Sequence, residues 1–244
     1  MVTKIADLIP QMIKVRTDFD SSRQKYMIAN PNFLKEKDMR ITFYSRYIST
    51  FDVALLYFMF RTFQLPSDSW WSTLPSEFRK QEISPTLFWT PGEDDRLKIV
   101  TAVDNYWSFS LFIMLFGILE SSVRAIVRIA YPTKYNDGRA EITQIFRALL
   151  SANYSKYEKF LELFRLCRNT SHNNGVYFPD RKGNRDLEFK GNTYHFIDRD
   201  IVELGDVPKL LFFDIIPELL EMIDEIVNSA DISKHDEIID PSTK

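Results

Sequence analysis

With one cysteine among 244 residues, Cys167, this chain can form no intramolecular disulfide, so its fold must be held by non-covalent packing. Histidine is nearly as scarce. His172, His195 and His235 lie far apart and, with a single thiol, offer no metal-ligand spacing, so neither a metal nor a cofactor is expected. Glycine is low at seven residues. No Gly-x-Gly-x-x-Gly, no Walker loop and no Gly-x-Ser-x-Gly occurs, which removes the common nucleotide-binding and hydrolase templates. A long apolar run is also missing. The most apolar stretch, Tyr106 to Leu119, stops at Glu120 after about fourteen residues, whereas a membrane span needs roughly 18 to 20. The start, Met1-Val2-Thr3-Lys4, leads into an amphipathic pattern and not an apolar signal core, so the expectation is a cytoplasmic protein with no membrane partner.

What is present is bulk for a core. Apolar residues make up 45% of the chain, with twenty Phe and eleven Tyr, so it falls outside the composition of disordered segments. The formal charge of −3 conceals a gradient. Residues 120–200 carry 14 Lys+Arg against 10 Asp+Glu, and residues 201–244 carry 3 against 11. That field is too weak for bulk nucleic-acid binding, yet it leaves room for a local phosphate pocket in the mildly basic middle.

Apolar periodicity predicts a first helix over 3–27, where Pro10 suggests a kink or a later start. A core helix follows from Met39 to Leu65. Residues 66–96 change character, with Pro66, Pro75, Pro85 and Pro91 set among Trp70, Trp71 and Trp89. Proline forbids a long helix there, and the tryptophans are expected to pack on the bundle. Further helices are expected over Asp94–Ala130, broken once near the start, over Ala140–Leu150 and over Tyr154–His172. After Gly175 the period becomes two, which predicts a small β-hairpin or meander within 176–197. A last helix, Pro208–Ser229, precedes a polar tail, 230–244, expected to fray. The fold class is therefore mainly α, a helical bundle with a small β-hairpin or meander near the C-terminal third. Residues 1–94 form N-terminal helices and an excursion packed on a helical domain over 95–229.

Chemistry concentrates at the end of the 154–172 helix, in Arg168-Asn169-Thr170-Ser171-His172-Asn173. Residues four apart share a helix face, so Arg168 and His172 sit one turn apart, with Arg165 below and Asn169 alongside. His is poised to move a proton near neutral pH, Arg clamps phosphate bidentately, and Asn can orient either. Together they suit phosphodiester cleavage. A 2′-hydroxyl can attack its own phosphate once a base takes its proton and a cation meets the developing charge, without a metal. A plainer account also fits: Arg168 and His172 favour the helix dipole, while Asn173-Asn174-Gly175 cap the end. Cys167 points away from Arg168, toward the core. His195, in a strand, and the turn Arg181-Lys182-Gly183-Asn184-Arg185 read as structural and solvated.

The stretch Leu166-Cys167-Arg168-Asn169-Thr170-Ser171-His172-Asn173 resembles the signature of the HEPN superfamily, whose helical-bundle members carry an Arg, often followed by Asn, His or Asp, and a His four to six residues on. Here three residues separate Arg168 from His172 and six separate Arg165 from His172. A second likeness is Phe116-Gly117-Ile118-Leu119-Glu120-Ser121-Ser122-Val123-Arg124, similar to the acidic and basic positions of an earlier HEPN helix. There Glu120, Arg124 and Arg128 form one stripe, which either faces Arg168 and His172 or is an ordinary exposed Glu–Arg pair. The resemblance implies a metal-independent endoribonuclease of antiviral defence or of a toxin-antitoxin system, working as a homodimer on RNA, with an antitoxin or defence-system partner protein. It implies His172 as base or acid, Arg168 or Arg165 as phosphate clamp and Asn169 as orienting residue, with Glu120 and Arg124 supporting. Other members of the superfamily are non-catalytic interaction or assembly modules, and that alternative stands beside the first.

Overall fold

The computed structural model describes residues 5–31, 37–63, 93–135, 140–173, 175–179 and 183–243. The first two helices, α1 (Ile5–Ala29) and α2 (Met39–Phe63), form an antiparallel pair. Leu8, Met12, Val15 and Phe19 recur at spacings of three and four, so a single stripe of α1 is buried. Phe19 inserts between Tyr47 and Phe51 of α2, with ring centroids 5.2 and 5.1 Å away. Helix α1 runs through Pro10. The Pro- and Trp-rich stretch, with Trp70, Trp71 and Trp89, lies outside the described residues up to Glu93, where the next helix begins.

That helix, α3 (Glu93–Ala130), is the central element and runs unbroken, contrary to the interruption expected near its start. Its Phe112, Leu115, Leu119, Val123 and Ile126 are fully or almost fully buried. Tyr47 donates its hydroxyl to the Leu115 carbonyl at 2.9 Å, and Tyr57 stacks flat on Trp107 at 4.7 Å, so α2 and α3 are keyed at two levels. The apolar window is longer than the fourteen residues expected. It extends over Tyr106–Ala130, long and apolar enough to cross a membrane, but 56% of it is buried inside the bundle, as in a core helix. Its placement in the core therefore follows from burial and not from length. After the short α4 (Pro132–Tyr135) come α5 (Ile142–Leu150), a 3₁₀ turn (Ser151–Asn153) and α6 (Tyr154–His172).

Strands β1 (Arg185–Phe189) and β2 (Asn192–Phe196) pair antiparallel through a Lys190-Gly191 turn in which both residues have positive φ, 46° and 78°. Leu187, Phe189, Tyr194 and Phe196 are buried, while Asp186 and His195 face solvent. Residues 176–178 do not join as a third strand. Val176 makes one isolated bridge to Ile201.

The C-terminal helix is composite: α7 (Val207–Lys209), a π segment (Leu210–Ile215) and α8 (Ile216–Asn228). In the π segment the Ile216 N–H reaches back five residues to the Leu211 carbonyl. In that register Pro217 would serve the Phe212 carbonyl, but it has no N–H to give. Gln11 Nε2 of α1 donates there instead, at 3.0 Å.

The polar tail is packed and not frayed. After α9 (Ala230–Ser233), the Met39 N–H donates to the Ile238 carbonyl at 2.6 Å and the Asp240 N–H to the Lys37 carbonyl at 2.7 Å. Ile232 and Ile238 are fully buried. Asp240 accepts from Thr42 at 2.7 Å and from Arg46 at 2.8 Å. The helices of the N-terminal third, the central helices, the hairpin and this tail all contribute to one core.

Candidate active site

Along α6, Tyr154, Glu158, Leu161, Arg165, Arg168 and His172 recur at alternating spacings of four and three, which is one face of a helix. The opposite face, with Tyr157, Phe160, Leu163, Phe164 and Cys167, is buried. Burial of that apolar face fixes the rotation of α6, so Arg165, Arg168 and His172 are turned toward the rim. Beneath Arg168 lies Phe116 of α3, its ring 5.7 Å from the guanidinium carbon, within reach of a cation–π contact. Phe116 is itself locked edge-on against Phe164 at 5.3 Å. Arg168 Nη1 donates to Asn169 Oδ1 at 3.1 Å, so the guanidinium is held by a ring below and an amide beside it. The His172 side chain is exposed and makes no hydrogen bond or ion pair among the described residues.

The two hydroxyl residues between them are spent on the helix. Thr170 and Ser171 are buried, and each donates to the carbonyl four residues back, Leu166 and Cys167, at 2.7 Å. The helix stops as a capped end: the Asn173 and Gly175 N–H groups both donate to the Thr170 carbonyl, and Gly175 has φ of 88°. The capping account of this run and the clustering of Arg168, Asn169 and His172 therefore hold together in one structure.

Of the two readings of the Glu120 stripe, the structure shows a Glu–Arg pair. Glu120 and Arg124 pair with each other along α3 at 2.8 Å, and Arg124 Nη1 donates to the Ala140 carbonyl at 2.9 Å, just ahead of α5. Arg128 points to solvent. The stripe thus ties α3 to the start of α5. Phe116, one turn before Glu120 on α3, is the ring that meets Arg168.

Between α5 and α6 opens a cavity of ≈ 170 Å³ lined by Phe116, Phe146, Tyr154, Glu158, Leu161 and Arg165. Arg147 flanks it with its guanidinium carbon 5.1 Å from the Tyr154 ring centre. Phe116 and Arg165 belong both to this cavity and to the Arg168 neighbourhood. Reading the α6 face back from His172 by sevens and fours reaches Glu158 and Tyr154, so these residues were accessible to helical periodicity. Phe146, Arg147 and the chamber itself were not.

Other sequence candidates separate from the site. Cys167 is fully buried, and burial pushes its thiol well up, so it is no nucleophile. His195 Nδ1 meets Asp186 Oδ1 at 2.8 Å as a cross-strand pair on the solvent side of the hairpin. Arg185 bonds Glu162 on the side facing α6, and the Asn184 side chain accepts from the Asp198 N–H at 3.1 Å. Among the described residues no group of three His, Cys, Asp or Glu could hold a metal ion.

Comparison with known proteins finds no matching family model, no matching curated protein and no matching solved structure.

Proposed function

We propose that the chain is a metal-independent endoribonuclease of HEPN-like type, acting in bacterial antiviral defence or a toxin-antitoxin system. The observation that carries this reading is the placement of Arg165, Arg168, Asn169 and exposed His172 on one face of α6, with Arg168 braced between Phe116 and Asn169. A braced guanidinium is preorganised to meet a phosphate, and an exposed imidazole one turn away is within the same nucleotide's reach. In the reaction His172 takes the proton of a ribose 2′-hydroxyl, and the 2′-oxygen bonds to phosphorus. The P–O5′ bond breaks, and the leaving 5′-oxygen is protonated. The products are a 2′,3′-cyclic phosphate and a 5′-hydroxyl. Arg168, or Arg165 behind it, neutralises charge on the non-bridging oxygens. In a homodimer with the two motifs facing, the second His172 supplies the proton to the leaving group.

The test is RNA cleavage by wild type beside His172→Ala in excess chelator, with end-group analysis. Cleavage that the variant lacks, ending in a cyclic phosphate, supports the assignment. Equal inactivity of both proteins removes it.

A second reading is a non-catalytic interaction or assembly module. Phe178, Ile197 and Ile201 are 52%, 46% and 69% exposed, close in sequence to the Val176–Ile201 bridge that follows His172. Apolar side chains left in solvent at one end of a bundle suit contact with a partner protein. A partner whose binding is lost in Phe178→Ser but kept in His172→Ala would favour it.

A further inference from the structure

We propose that the cavity between α5 and α6 is a guanine subsite, which reads the base next to the cleaved phosphate; this rests on the ribonuclease reading of the same site. The chamber has the makings of a base slot. Phe116, Phe146 and Tyr154 supply aromatic surface, Leu161 an aliphatic one, and Arg147 lies over Tyr154. Unstacked RNA bases are held in this way, between aromatic rings and guanidinium planes. The rim carries the selectivity. An ionised carboxylate only accepts hydrogen bonds, and its two oxygens match two adjacent donors. Guanine alone presents such a pair, N1–H beside N2–H. On adenine and cytosine a ring acceptor lies next to the amine, and on uracil a single N–H lies between two carbonyls. Glu162 is engaged by Arg185, whereas among the described residues Glu158 has only Arg147 at 3.8 Å, too long for a hydrogen bond, and its side chain is 54% exposed. Glu158 is therefore the reader.

The helix sets the distance to the chemistry. From Arg165, which lines the chamber, Arg168 lies about 4.5 Å and His172 about 10.5 Å further along the axis, at 1.5 Å per residue. A guanosine seated in the chamber would place its own phosphate at Arg165 and pass the next toward Arg168 and His172.

The experiment is calorimetric titration of the full chain with GMP, AMP, CMP and UMP, followed by RNA cleavage with single-base replacements. GMP is expected to bind about tenfold or more tighter than the other three, and Glu158→Gln to remove that margin while leaving AMP affinity and the thermal midpoint unchanged. His172→Ala should bind GMP as the wild type does. Equal affinities for the four nucleotides, no binding into the millimolar range, or a GMP margin that survives Glu158→Gln would overturn the subsite. RNA cut without regard to base would also overturn it and leave the ribonuclease reading standing. GMP discrimination without any RNA cleavage would remove the ribonuclease reading and leave the guanine site.

Discussion

Arg40 and Asp38, two residues apart and both fully buried, form a two-pronged ion pair of 2.8 and 2.6 Å, and both side chains also bond to the far end of the chain. Arg40 Nη1 donates to the carbonyls of Ile232 and His235 at 3.0 and 2.8 Å, and Asp38 accepts from the Ile238 N–H at 3.2 Å. Removing one partner leaves a buried charge uncompensated, which costs about 3–5 kcal/mol. Arg40→Met and Asp38→Asn are each expected to lose that much in denaturant titration. The double replacement Asp38→Leu/Arg40→Met should lose less than the sum, because it buries no lone charge.

The braced guanidinium makes its own forecast. Arg168→Ala is expected to lower kcat/KM on single-stranded RNA by about 10²-fold or more, with little change in thermal midpoint, because the side chain lies at the rim. Lysine should not rescue it, since a point charge neither forks onto phosphate nor stacks on Phe116 in the same way. Arg165→Ala should cost less than Arg168→Ala, because Arg168 lies one turn from His172, with the Phe116 ring and the Asn169 side-chain oxygen holding its head, whereas Arg165 lies two turns away. Steady-state kinetics on the three variants, with circular dichroism as the folding control, measures this ordering.

Alkali should unfold this protein by a route visible in its core. Burial pushes the Cys167 thiol up and raises Tyr26 and Tyr194 to about 12. In the unfolded chain these groups release protons near about 8.5 for cysteine and about 10 for tyrosine. Between the unfolded and folded values the native state therefore holds more protons than the unfolded one, and stability falls as pH rises. The decline should begin above about pH 8.5 and steepen above about pH 10. Below that window the native thiol should not react with an aromatic disulfide until denaturant is added. Rapid labelling of the native protein at pH 8 would contradict this.

Much of the frame was legible from periodicity. The bounds expected for the core helix at Met39 and for the helix Tyr154–His172 coincide with α2's start and with α6, and the hairpin lies within 176–197. Long amphipathic stripes announce themselves because burial of one face is a property of neighbours in sequence. Features that depend on distant partners did not show. The buried Asp38–Arg40 pair gave no sign in the residue pattern, since the carbonyls that accept from Arg40 come from residues 232 to 236 and an N–H donor to Asp38 comes from Ile238. The tail read as polar and loose because its few large apolar residues, Ile232, Ile238 and Ile239, have no period. At the candidate site the Arg-Asn pair and the Gly175 cap could be read from spacing, but the ring under Arg168 could not, because Phe116 lies on another helix.

The π segment offers a test of how a proline is accommodated. Regular α-helix at Pro217 would bring its ring against the carbonyl of Phe213 and leave a carbonyl unpaired. The wide turn Leu210–Ile215 relieves the clash, and Gln11 supplies the donor missing at Phe212. Gln11→Ala should then cost about 1 kcal/mol, the size of one partly buried hydrogen bond. Pro217→Ala restores an N–H in the same place, so in that background Gln11→Ala should be nearly silent. A double-mutant cycle read by denaturant titration measures the coupling. Additive losses would mean that Gln11 acts through packing against the C-terminal helix and not by satisfying the Phe212 carbonyl.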